Sequence, residues 1–263
     1  MPAPAARAED IPGYVFPITD PFEATVSGTP VELKHRFRLN KPVQRDSFEL
    51  EIFPERKVPP LFRPVRTLAF SLAYQESPAP LIFVIAGTGG SYRAATAKYL
   101  EHVFYQAGFH VITLSSPSSY EFITAASESQ YPGISVEDAR DLYRVMQMSL
   151  ALAKDLVSVT DVYLTGYSLG GLQAAFVSHL DEQEQAIGFS KVLLLNPPVN
   201  LYASAKLIDN FVGSEPGMKN AYDYNSRLFG KFTEYFAENG MIRLDDEAFM
   251  FKFQESEQSL TRE

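Results

Sequence analysis

The chain contains no cysteine among its 263 residues. That removes disulfides, thiolate metal sites and cysteine nucleophiles together. Histidine is almost as scarce. His35, His102, His110 and His179 are the whole complement, and none is spaced as a ligand pair, which argues against zinc. His102 sits in a helical pattern and His110 opens an apolar run, so both read as structural. Basic residues are outnumbered, 23 Lys and Arg against 32 Asp and Glu, for a net charge of -9. Nucleic-acid binding needs clustered cations and is argued against by that balance. No apolar run reaches the roughly eighteen residues of a membrane span. What is present is an ordinary globular composition, 46% hydrophobic and 21% charged, in a chain long enough to bury a core.

The opening MPAPAARAED holds Ala-Arg-Ala, the small-residue ending of a secretory signal, without the apolar region that should precede it. Two locations stay open: a periplasmic or secreted protein numbered from inside its cleavage site, or a cytoplasmic one with an Ala/Pro-rich terminus. Residues 1–23 lack periodicity and read as a flexible lead-in. FELEIF (48–53) alternates apolar and polar, as a half-buried strand does; TLAFSLAY (67–74) reads as a second strand and VELKHRFRL (31–39) as a weaker candidate. From residue 81 the pattern changes. LIFVIAG is continuously apolar, as a strand covered on both faces is. SYRAATAKYLEHVFYQAG then spaces Ala95, Tyr99, His102, Val103 and Gln106 as a helix and closes on Gly108. FHVITLSS is a strand, followed by a loop of Ser, Tyr and Pro. SVEDARDLYRVMQMSLALAKDL is a long helix, with Ser135 and Asp138 placed as a capping box. VYLTGYS, LGGLQAAFVSHLDEQ and KVLLLNPP continue as strand, helix and strand.

Alternation of this kind predicts an α/β fold: a mostly parallel sheet with helices on both faces. The earlier strands would add an antiparallel edge. The expected organisation is a lead-in over 1–23, a core over 24–198 and a helical cap-like region over 199–263, with the aromatic stretch 200–250 lying over the Ser168 end of the sheet.

The segment Gly166-Tyr167-Ser168-Leu169-Gly170 falls between a buried-type strand and a helix. A nucleophile elbow requires that context. The turn strains the backbone at its central residue, so small neighbours are needed, and Gly166, Gly170 and Gly171 supply them. Ser168 would stand at a helix N-terminus, where amide N–H groups favour developing negative charge.

From about residue 66 to 198 the chain resembles the α/β-hydrolase family, most specifically in GYSLGG. The resemblance implies that Ser168 attacks an acyl carbonyl and that the Leu169 N–H helps bind the oxyanion. It also implies a second donor in IAGTGGSY (85–92): Thr88 by position, with Gly89 as the alternative. Ala86 stands where such hydrolases often carry His. Nucleotide binding at this loop is disfavoured, because neither a Walker ending nor GxGxxG spacing is present. The implied partner is a small-molecule acyl substrate, with no cofactor and the oligomeric state left open.

The family order is Ser, then acid, then His. Downstream of Ser168 the only histidine is His179, about 16 Å along the same helix and out of reach. Asp209, Asp223, Asp245 and Asp246 are available acids, none with a distinguishing motif. LYASAKLIDNFVG (201–213) and AYDYNSRLFGKFTEYFAENG (221–240) read as aromatic cap-like helices, and AFMFKF (248–253) alternates briefly. The expectation is a truncated form of a longer hydrolase, weak or inactive at this length. The alternative is a whole binding protein on the same scaffold.

Overall fold

The computed structural model describes residues 42–57, 65–214 and 230, with the side chains of 208–214 excepted. The expected lead-in, the strand at 31–39 with His35, the helix at 221–240 apart from Gly230, and the strand at 248–253 lie outside the described residues. So do Asp223, Asp245, Asp246 and the side chain of Asp209.

Six strands form one sheet: β1 (Arg45–Leu50), β2 (Leu68–Ala73), β3 (Ala79–Ile85), β4 (His110–Leu114), β5 (Val159–Tyr167) and β6 (Phe189–Leu195). Their order is β1-β2-β4-β3-β5-β6. β1 and β2 run antiparallel, β2 meets β4 antiparallel, and β4, β3, β5 and β6 are mutually parallel. This is the mostly parallel sheet with an antiparallel edge that the alternation predicted.

β3 explains why its sequence lacks polar residues. Side chains alternate across a sheet, and both faces of β3 are covered. Leu81, Phe83 and Ile85 join the large cluster with Leu142, Met146, Ala174 and Val177, from α3 (Ser135–Leu156) and α4 (Leu169–Glu184). Ile82 and Val84 face the other way, against Leu100, Phe104 and Tyr105 of α1 (Ala95–Gln106). Two further helices are α2 (Tyr120–Ala125), within the segment expected to be loop, and α5 (Leu201–Ser214). Among the described residues no helix is long and apolar enough to cross a membrane.

The inward face of α1 and the start of α3 each depart from the local sequence pattern. The buried residues of α1 are Ala97 and Glu101, while Tyr99 is exposed. The reason is electrostatic. Glu101 is fully buried and pairs with Arg45 at 3.0 Å and Lys98 at 2.9 Å, and it accepts from Ser71 at 2.6 Å. A buried charge so satisfied can set the inward face of a helix against its apolar pattern. The capping box does not form either. Ile134 is the N-cap of α3, without a side-chain cap. Asp138 instead accepts from the Gly133 N–H at 3.0 Å and from Gln173 at 3.1 Å, tying the loop before α3 to α4.

The far end of α4 is anchored by Asp181. Its carboxylate accepts the Tyr143 hydroxyl of α3 and the backbone N–H groups of Ile187, Gly188 and Phe189. Burial pushes this carboxyl up, but those hydrogen bonds outweigh it and hold it below its usual range. Asp181→Ala leaves four donors without their acceptor and is expected to cost about 3 kcal/mol in a denaturant titration. A carboxyl with a depressed pKa stabilises the fold above its unfolded value, about 3.9 for Asp. The gap between wild type and variant should therefore be full above about pH 4 and shrink as the solution is acidified further.

Candidate active site

Parallel pairing brings four strand ends into line. Ile85 of β3 sits beside Leu114 of β4 and Gly166 of β5, and Tyr167 sits beside Leu195 of β6. The segments that follow, 86–94, 115–119, Ser168 and 196–200, therefore emerge at one edge. Ligand sites in open α/β sheets gather at such carboxyl ends.

Ser168 is the single residue between β5 and α4 and is the N-cap of that helix, at φ 55° and ψ -126°. For a residue with a Cβ this left-handed φ costs on the order of 1–3 kcal/mol. The surrounding structure enforces it. A Cβ on Gly166 would lie 2.2 Å from the Gly170 carbonyl oxygen, and one on Gly170 would lie 2.4 Å from that of Ile85. The turn is thus clamped, backbone on backbone, between its own helix and the end of β3. The Ser168 N–H donates to the Leu195 carbonyl at 2.9 Å. Its side chain is exposed, and its hydroxyl has no hydrogen-bond partner among the described residues.

The loop after β3 faces this turn. A Cβ on Gly87 would lie 3.3 Å from Ser168 Cβ and 2.8 Å from the Tyr167 ring. Gly87 to Gly90 form a tight turn, closed by the Gly90 N–H donating to the Gly87 carbonyl at 2.9 Å. Gly89, the third residue of that turn, has φ 66°, a conformation that L side chains avoid. Burial pushes the Tyr167 phenol up, against a hydrogen bond with the Gly87 backbone.

The amides of this loop are not equivalent. Gly89 donates to Ser118 Oγ at 2.9 Å. Gly90 is spent on the turn, and Gly87 lies against Tyr167. The exposed Thr88 N–H carries no hydrogen bond among the described residues. Leu169 and Gly170 open α4, and the first turn of a helix has no internal acceptors for its N–H groups.

None of the described histidines approaches Ser168. His110 pairs in register with Leu81, which pairs with Val162, at the opposite end of the sheet from Gly166. Both its ring nitrogens are committed: Nδ1 accepts the Gln75 N–H at 3.1 Å, and Nε2 donates to the Ser158 carbonyl at 3.1 Å. His102 is bonded to Gln106 on α1 at 2.7 Å. His179 is exposed on the third turn of α4, beside Gln183 and Glu182. Among the described residues no three His, Asp or Glu side chains converge as a metal site. Sequence reasoning missed the hydroxyl cluster at Ser115, Ser116 and Ser118, which braces the loop; its only sequence trace is the Ser-rich run after β4.

No protein-family model and no curated protein matches the chain. Solved structures do. Est1E from Butyrivibrio proteoclasticus is 19% identical, over 58% of this chain and 54% of its own, with a TM-score of 0.37. A hyperthermophilic esterase from the archaeon Pyrobaculum calidifontis is 19% identical, over 62% and 47%, with a TM-score of 0.43. A thermostable esterase from Pseudomonas putida is 17% identical, over 60% and 45%, with a TM-score of 0.44. The match thus spans about half the length of these esterases.

The clamp makes a sharp forecast. Gly170→Ala drives a methyl group into two carbonyls and is expected to destabilise the chain by about 3 kcal/mol, read from its denaturant midpoint. Ser168→Ala alters no close backbone contact and should stay within about 1 kcal/mol of wild type.

Proposed function

We propose that this chain, an α/β-hydrolase by fold, is a serine hydrolase of acyl compounds of the esterase kind, working through an acyl-serine on Ser168. The observation that carries the reading is the Ser168 hydroxyl itself. It is exposed on a strained strand-to-helix turn, at the carboxyl end of the sheet, against a glycine loop. Attack on an ester carbonyl would join Ser168 Oγ to the acyl carbon and place negative charge on the carbonyl oxygen. The N–H groups of Leu169 and Thr88, without acceptors among the described residues, are the donors assigned to that oxygen. Preorganised donors of this kind are worth about 10²- to 10³-fold each in kcat. Gly89, the alternative donor, would have to give up Ser118 first. Collapse of the intermediate would break the ester C–O bond and expel the alcohol, which takes up the proton lost by Ser168. Water would later cleave the acyl-serine, releasing the acid and restoring the hydroxyl.

A serine hydroxyl is a weak nucleophile until a base accepts its proton. No described imidazole is within reach to do so. The 263-residue chain is therefore expected to be slow, within about 10³- to 10⁴-fold of the reaction in water. The second reading, a binding protein on the same scaffold, is favoured by that same absence of a base among the described residues.

A fluorophosphonate probe and p-nitrophenyl acetate separate the two readings. The enzyme reading expects covalent labelling and slow turnover, both abolished in Ser168→Ala. If the full-length protein never labels, the enzyme reading goes. Turnover near an ordinary enzyme's rate, about 10 per second, lost in Ser168→Ala, would mean that a base lies outside the described residues.

A further inference from the structure

The segment after β4 is laced to the loop after β3 by hydroxyl groups 23 to 29 positions away in sequence. Ser115 Oγ accepts the Tyr92 N–H at 2.9 Å. The Ser116 N–H donates to the Gly90 carbonyl at 2.9 Å. Ser116 Oγ and Ser118 Oγ share a hydrogen bond at 2.9 Å, and Ser118 Oγ accepts the Gly89 N–H at 2.9 Å. Ser119 caps α2 through the Phe122 N–H, which fixes the segment from its other end. Ser115, Ser116 and Ser119 are buried, whereas Ser118 is half-buried and reaches the exposed tip of the loop.

The consequence is selective. A Gly-rich turn has several amides and the freedom to present any of them. Fixing Gly89 on Ser118 removes one candidate donor and holds the turn in the rotation that leaves the Thr88 N–H without an acceptor. We infer that Ser118 is a positioning residue of the acyl-transfer site: by accepting the Gly89 amide it aims the Thr88 amide at the oxyanion. This rests on the serine-hydrolase reading above. Ser118 touches no reacting atom. Its effect acts on the geometry of the donor, so it belongs in kcat and not in KM, because an oxyanion donor binds charge that appears only in the transition state.

The test measures kcat and KM for p-nitrophenyl acetate with the 263-residue chain carrying Ser118→Ala, Ser118→Thr, Ser116→Ala or Ser168→Ala. Ser118→Ala is expected to lower kcat about tenfold, the scale of a misplacement under 1 Å, with KM within about twofold. Ser118→Thr keeps the hydroxyl and should restore kcat. Ser116→Ala removes only the partner of Ser118 and should lower kcat about threefold on the same basis. A folded Ser118→Ala with wild-type kcat overturns the inference, as does a loss that appears in KM or that Thr fails to rescue. If Ser118→Ala does not fold, wild-type kcat in Ser116→Ala overturns it. These outcomes leave the enzyme reading intact provided Ser168→Ala abolishes turnover. Turnover that survives Ser168→Ala overturns both.

Discussion

One close approach organises the molecule around Ser168: the turn from β5 into α4 lies directly on the end of β3. Gly170 touches the carbonyls of Ile85 and Ala86, and Gly166 touches the backbone of Gly170. No side chain fits at either position. Because the backbones meet there, α4 packs low enough for Ala174 and Val177 to reach the main core. The same contact brings the loop leaving β3 up against Ser168. The positive φ at Ser168 is a consequence, since a chain that must leave β5 and enter a helix in one residue has few other ways to turn.

Around that clamp the polar groups are divided between those that are satisfied and those that are left over. Glu101, Asp138 and Asp181 each bind elements together from buried positions, and each has its charge or hydrogen-bonding capacity answered. His110 is likewise spoken for on both nitrogens. At the carboxyl end of the sheet the pattern reverses: among the described residues the Ser168 hydroxyl and the Thr88 amide have no hydrogen-bond partner. The proposed acyl transfer draws on these groups, which a strained frame holds in place.

Much of this was legible in the sequence because the signals were local. A continuous apolar run marked β3, and the glycines at 166, 170 and 171 marked the turn after β5. What stayed hidden depends on partners far apart in the chain. The inward face of α1 follows from Glu101 meeting Arg45 and Ser71 on other strands. The Ser135 capping box lost Asp138 to Gln173, 35 positions away. The choice among loop amides is made by Ser118, 29 positions away from Gly89. Among the described residues β6 is the edge strand of the sheet, and Leu193 and Leu194 of its apolar run are 49% and 40% exposed.

The central claim is that Ser168 and the amides of Thr88 and Leu169 form one acyl-transfer centre. The most direct measurement is a crystal structure of the chain after Ser168 has reacted with a phosphonate, whose tetrahedral phosphorus imitates the intermediate. The account expects one phosphonyl oxygen to lie about 3 Å from both the Thr88 and Leu169 nitrogens, with the Gly89 amide still on Ser118. An adduct whose oxygens point to solvent, or one that draws the Gly89 amide away from Ser118, would contradict it.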